Sequence, residues 1–148
     1  MRVTAEDIRG TEHDWLAVDR DGHVALFSTA GGSAAPPAYL RDIEGYEVAI
    51  AAILALPGPT GVAAQPPGSW DNTWREVADR GLFAYDGEFN RGAYRLLERP
   101  ALAVAMAARP PAIAAVCARV RFAHLTFAAT VAITDEDVAR AEDVAATA

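Results

Sequence analysis

Two pairs of acids stand two residues apart beside glycines: Asp19 and Asp21 ahead of Gly22, and Asp86 and Glu88 around Gly87. Carboxylates so spaced can act as general acid and base at a sugar, or hold Mg²⁺. Asp is also common at glycine turns for backbone geometry alone, so structural or surface roles outweigh catalysis at both pairs. The three histidines, His13, His23 and His124, stand in unrelated contexts without H-x-x-x-H or Cys/His ligand spacing. No serine occupies a G-x-S-x-G elbow, and Gly31-Gly32 lacks the remaining glycines and the Lys-Ser/Thr of a phosphate loop. The single cysteine, Cys117, lies in Ala-Ile-Ala-Ala-Val-Cys-Ala-Arg-Val and reads as a small buried hydrophobe rather than a nucleophile. The expectation is therefore no catalytic residue, no tightly bound metal and no cofactor.

Trp15 and Trp74 fall inside apolar patterns and are expected in the core. Trp70 follows Pro66-Pro67-Gly68-Ser69 and is either a partly exposed binding anchor or a packing cap for the next helix.

The elements that carry these residues start with a hairpin over residues 14–29, two apolar runs folded about Asp21-Gly22. A two-residue turn pairs Leu16 with Phe27 and Val18 with Ala25 on one face, leaving Trp15, Ala17, Val24 and Leu26 on the other. Both faces are apolar, which predicts a sheet covered at least partly on each side. Apolar residues at three- and four-residue steps predict one helix over residues 37–56, ended by Pro57-Gly58-Pro59. Residues 58–68 read as a surface loop. A short helix follows over 73–79, capped by Ser69 or Asp71 and stopped by Gly81 in a left-handed conformation. Strands are predicted over 82–86 and 93–97, with a further short one over 102–106. Arg109-Pro110-Pro111 opens a helix, Phe122 to Phe127 is extended, and an acid-rich capped helix or tail starts at about Thr134. The fold class is α+β: one domain over residues 1–148, an antiparallel sheet of hairpins packed by three to four helices.

At 148 residues and 52% hydrophobic content the chain can bury a core without disulfide or metal. Its longest apolar run, residues 48–56, falls short of the ~18 residues that span a bilayer, and no secretion signal opens the sequence. A cytoplasmic protein without membrane contact is expected. All 13 cationic residues are arginine, and the net charge of −7 is uneven. Residues 1–47, 71–88 and 134–148 are acidic, while 89–133 carries six arginines and one acid. The overall sign disfavours nucleic acid as a ligand and suits a basic partner.

The run Asp14-Trp15-Leu16-Ala17-Val18-Asp19-Arg20-Asp21-Gly22-His23-Val24-Ala25-Leu26-Phe27-Ser28-Thr29-Ala30-Gly31, with Arg80-Gly81-Leu82-Phe83-Ala84-Tyr85-Asp86 and Tyr94-Arg95-Leu96-Leu97-Glu98-Arg99-Pro100 after it, resembles small bacterial α+β proteins of the polymorphic-toxin immunity type. The resemblance runs in order from about residue 14 to 127. It implies a non-enzymatic protein, monomer or homodimer, that neutralises a cognate toxin by stoichiometric binding and occlusion. On this reading the partner is a basic toxin domain, and Asp19, Asp21, Trp70, Asp86 and Glu88 are the candidate contact residues. A small carboxylate-using hydrolase or transferase and an adaptor subunit are the rival classes.

Overall fold

A computed structural model of the chain describes residues 3–59, 73–87 and 92–144. In chain order the elements are β1 (Asp14–Asp19), β2 (Val24–Ser28), α1 (Pro37–Arg41), α2 (Ile43–Leu54), α3 (Thr73–Asp79), β3 (Phe83–Gly87), β4 (Tyr94–Glu98), α4 (Pro111–Cys117), β5 (Val120–Phe122), β6 (Ala132–Ile133), α5 (Asp135–Arg140) and β7 (Glu142–Asp143). The strands form one mixed sheet in the order β6-β4-β3-β2-β1-β5-β7. The α+β class holds, but the sheet is not purely antiparallel: β3 runs parallel to β2 and β5 parallel to β1. Five α-helices among the described residues replace the expected three to four.

The first hairpin forms where expected, with a register one residue away from the expectation. Asp19 N–H donates to His23 O and Gly22 N–H to Asp19 O, so the loop holds three residues, Arg20 to Gly22. Gly22 takes a φ of +83, the left-handed closing position of such a loop. Trp15 therefore pairs with Phe27, Leu16 with Leu26, and Asp14 with Ser28. One face collects the aromatic rings: Trp15 stacks on Phe27 at 4.2 Å, and Phe27 on Tyr85 at 5.0 Å. The other face carries Leu16, Val18, Val24 and Leu26, each buried, and α2, α3 and α4 pack against β1 and β3.

A second layer covers the aromatic face. Strands β5 and β6 lie near opposite edges of the sheet, so residues 123–131 must cross it, and α5 returns the chain to β7. Phe127 sits on that strap against Phe27, Tyr85 and Phe122. Tyr85 fastens the strap by donating its hydroxyl to Thr130 O at 2.6 Å. A capping box starts α5: the Thr134 hydroxyl accepts from Asp137 N–H, and the Asp137 carboxylate accepts from Thr134 N–H. Burial alone would raise the Asp137 carboxyl, but the Thr134 and His124 hydrogen bonds outweigh it and hold it low.

Two further expectations are corrected. The helix expected over 37–56 breaks at Asp42, whose backbone leaves the helical region while its carboxylate accepts from Gly45 N–H to cap α2. No strand forms over 102–106; Ala105 makes one bridge to His23, and a 3₁₀ turn follows at Met106–Ala108. Short α3 forms as expected and ends at Gly81, with a φ of +90, where a Cβ would collide with Val104. Its proposed caps Ser69 and Asp71 lie outside the described residues.

Beside Gly81, Arg80 is buried although charged. Its guanidinium donates to Leu56 O at 2.9 Å and Glu76 O at 2.7 Å, just past the end of α2 and in the last turns of α3. Carbonyls at helix C-termini lack internal partners and carry partial negative charge, so they stabilise this cation. Lysine has no planar fork to reach both carbonyls. Arg80→Lys is expected to cost about 1–2 kcal/mol, measured as a shift of the urea unfolding midpoint.

Candidate functional site

Asp19 ends β1, and its side chain turns into the protein rather than to solvent. It is 0% exposed. One carboxylate oxygen accepts from Asp21 N–H at 2.9 Å and His23 N–H at 3.0 Å; the other accepts from Phe127 N–H at 2.9 Å. As a surface contact residue Asp19 is thus corrected: all three bonds are internal, and they tie the hairpin loop to the strap. Asp21 is exposed on that loop.

Asp86 lies at the other end of the sheet. Because β3 is parallel to β2, Asp86 aligns with Ser28, and across the antiparallel pair with β4 it faces Arg95. With strands rising about 3.3 Å per residue, Asp21 and Asp86 are separated by roughly 15–20 Å. The expected contact acids are therefore not one patch. Trp70 and Glu88 lie outside the described residues.

At the Asp86 end, Asp14, Ser28, Asp86 and Arg95 form a polar row across four adjacent strands. The Ser28 hydroxyl donates to Asp14 at 2.7 Å. Beside it, His13 Nδ1 and the Tyr39 hydroxyl share a bond of 2.7 Å, and His13 Nε2 reaches the Thr11 hydroxyl at 2.8 Å. Burial pushes the Tyr39 hydroxyl up to about 12, with the Glu47 and Asp14 carboxylates adding to it. Burial likewise raises Asp14 above the ordinary aspartate value, against the lowering effect of Ser28 and His13. A carboxyl of raised pKa beside a hydroxyl can pass protons. Here Ser28 is only 3% exposed, and the row joins the open end of the hairpin to α1. This cluster escaped the sequence reading because a two-residue turn sets Asp14 opposite Thr29 instead of Ser28.

Among the described residues no group of three His, Cys, Asp or Glu side chains could hold a metal ion, and no helix is long and apolar enough to cross a membrane. Cys117 is buried in the core, and burial pushes its thiol up to about 11, away from the reactive thiolate.

Two open grooves meet where α1 approaches the β7 edge. One, of 860 Å³, is floored by Val3, Pro37, Leu40 and Ile43 and edged by Arg41, Asp42 and Glu44. The other, of 420 Å³, shares Pro37 and runs over Val120, Val138 and Ala141 between Asp135, Glu142 and Asp143. Between them Arg41 bridges to Asp143 at 2.7 Å. Asp42 is held below its usual range first by the Gly45 N–H and then by Arg119, 2.9 Å away. Neither Asp14 nor Ser28 lines these grooves. No protein-family model, curated protein or solved structure matches the chain.

The raised Asp14 carboxyl sets a pH dependence. A carboxyl whose pKa is higher folded than unfolded costs stability once ionised, and the cost fades as pH falls through the folded value toward the ordinary 3.8. Asp14→Asn keeps an acceptor for Ser28 without the charge. It is expected to be at least as stable as the parent at pH 7, the difference vanishing near pH 4, in urea titrations across that window.

Proposed function

We propose that this chain is a non-catalytic binding protein of the immunity type, which occludes a basic toxin domain in the cytoplasm as a monomer or homodimer. The observation that carries this reading is the direction its side chains take. Groups able to move protons or attack a substrate are committed inward: Asp19 to three backbone N–H groups, Ser28 to Asp14, Tyr39 to His13 and Cys117 to the core. Groups suited to recognition face outward: Asp21, Glu44, Glu47, Glu136 and Glu142 are exposed, as are Val48, Leu97, Leu102 and Val131. Acids with scattered apolar anchors are what a basic protein surface pairs with, over roughly 1,200–2,000 Å² for a stable complex.

The test is capture of the tagged protein from its native host, identification of the bound chain, and reconstitution with the purified partner domain. A one-to-one complex is expected, and co-expression should rescue growth only when this chain at least equals the toxin in amount. Neutralisation at substoichiometric amounts would favour an enzyme. A partner with no toxicity would favour an adaptor.

A further inference from the structure

Building on the protein-binding reading, we propose that the two grooves beside the Arg41–Asp143 bridge form one docking channel for an extended, basic segment of a partner protein. The segment's apolar side chains fill the two floors, and its cations meet the rims. Three observations carry this. The grooves share Pro37, so one ligand lying across α1 can reach both. Their linings hold five carboxylates, Asp42, Glu44, Asp135, Glu142 and Asp143, which outnumber the three guanidinium groups that pair with them, Arg119 on Asp42, Arg121 on Glu142 and Arg41 on Asp143. The Arg41–Asp143 bridge itself is half open to solvent on the arginine side, at 47% side-chain exposure.

An exposed pair of this kind is weakly held, so a partner's guanidinium can compete with Arg41 for Asp143. On α2 the next turn carries exposed Glu47 and Val48, the latter 63% exposed, which extends the same acidic and apolar character beyond the groove. A nucleic acid or any other polyanion is repelled by these rims. The floor of Pro37, Leu40, Ile43 and Val138 excludes a purely cationic ligand as the best fit, because burying that apolar surface needs apolar partners.

The probe is a synthetic peptide of about ten alternating Arg and Leu residues, roughly 30 Å when extended. Glu–Leu and Gly–Arg peptides serve as controls. Each is titrated calorimetrically into the full chain at about 50 mM and about 300 mM salt, with contacts mapped by NMR shifts. The Arg–Leu peptide is expected to bind best, to weaken with salt, and to shift Leu40, Ile43 and Val138. The Glu44→Arg/Glu142→Arg variant should lose about tenfold or more in affinity, while Glu12→Arg, exposed and outside both grooves, leaves it unchanged. Circular dichroism of each variant confirms that it is folded.

The channel is overturned if the double reversal binds like the parent, or if the shifts map elsewhere. It is also overturned if sedimentation shows that a second copy occupies it, or if the peptide binds only after residues 145–148 are removed. A host partner that binds the double-reversal variant with parental kinetics would refute the channel and leave the protein-binding reading standing. Failure to recover any host partner, with peptide binding intact, would do the reverse.

Discussion

The carboxylate of Asp19 is the constraint on which both layers depend. A buried charge is tolerated only where hydrogen bonds replace the lost water, and this one receives three backbone N–H donors from two parts of the chain. Two donors come from the hairpin loop and shape its three-residue turn. The third comes from Phe127, more than a hundred residues later in sequence, and sets the depth at which the strap crosses the sheet. Arg20 N–H adds a backbone bond to Leu125 O beside it. Once the strap is held there, the Phe127 ring enters the aromatic layer and Trp15 and Phe27 are closed from solvent. Hairpin geometry and coverage of the sheet are thus one problem with one solution.

The same residue explains where the sequence was legible and where it was not. The hairpin, α3 with its glycine stop, strands β3 and β4 and the capped start of α5 are all written in local pattern. The hairpin register is not, because both faces are apolar. Alternation fixes register only when one face is polar, so a shift by one residue leaves the pattern equally satisfied. Asp19 decides between the two, through bonds that no spacing rule contains. Parallel pairing of β1 with β5 and β2 with β3 is long-range and left no local mark. The edge strands β6 and β7 are two residues each, below what alternation can register. At the candidate contact residues the difference has one source: Asp19, two residues ahead of Asp21-Gly22, reads as a turn acid, but its place at the end of β1 turns it inward.

The charge pattern also changes meaning once folded. Among the described residues, four arginines of the stretch 89–133 are engaged with other parts of the chain. Arg99 donates to Ala128 O, Arg109 to Arg80 O and Val104 O, Arg119 pairs with Asp42 over the Tyr46 ring, and Arg121 lies 3.6 Å from Glu142. Burial also lowers Arg109, consistent with a cation held by carbonyls in the interior. Part of the positive charge thus joins elements, and the buried charged side chains among the described residues, Asp19 and Arg80, are of opposite sign.

The strap has a consequence for the order in which the chain can become compact. Strands β1 to β4 are complete by residue 98, yet the Phe127 ring that packs on Phe27 and Tyr85 follows only with the strap. A sheet without the strap lacks the Phe127 ring over Phe27 and Tyr85. Non-local closure of this kind is slow relative to local hairpin formation, and exposed apolar surface in the interval invites association between chains. The last third of the sequence therefore acts as the step that completes the aromatic layer.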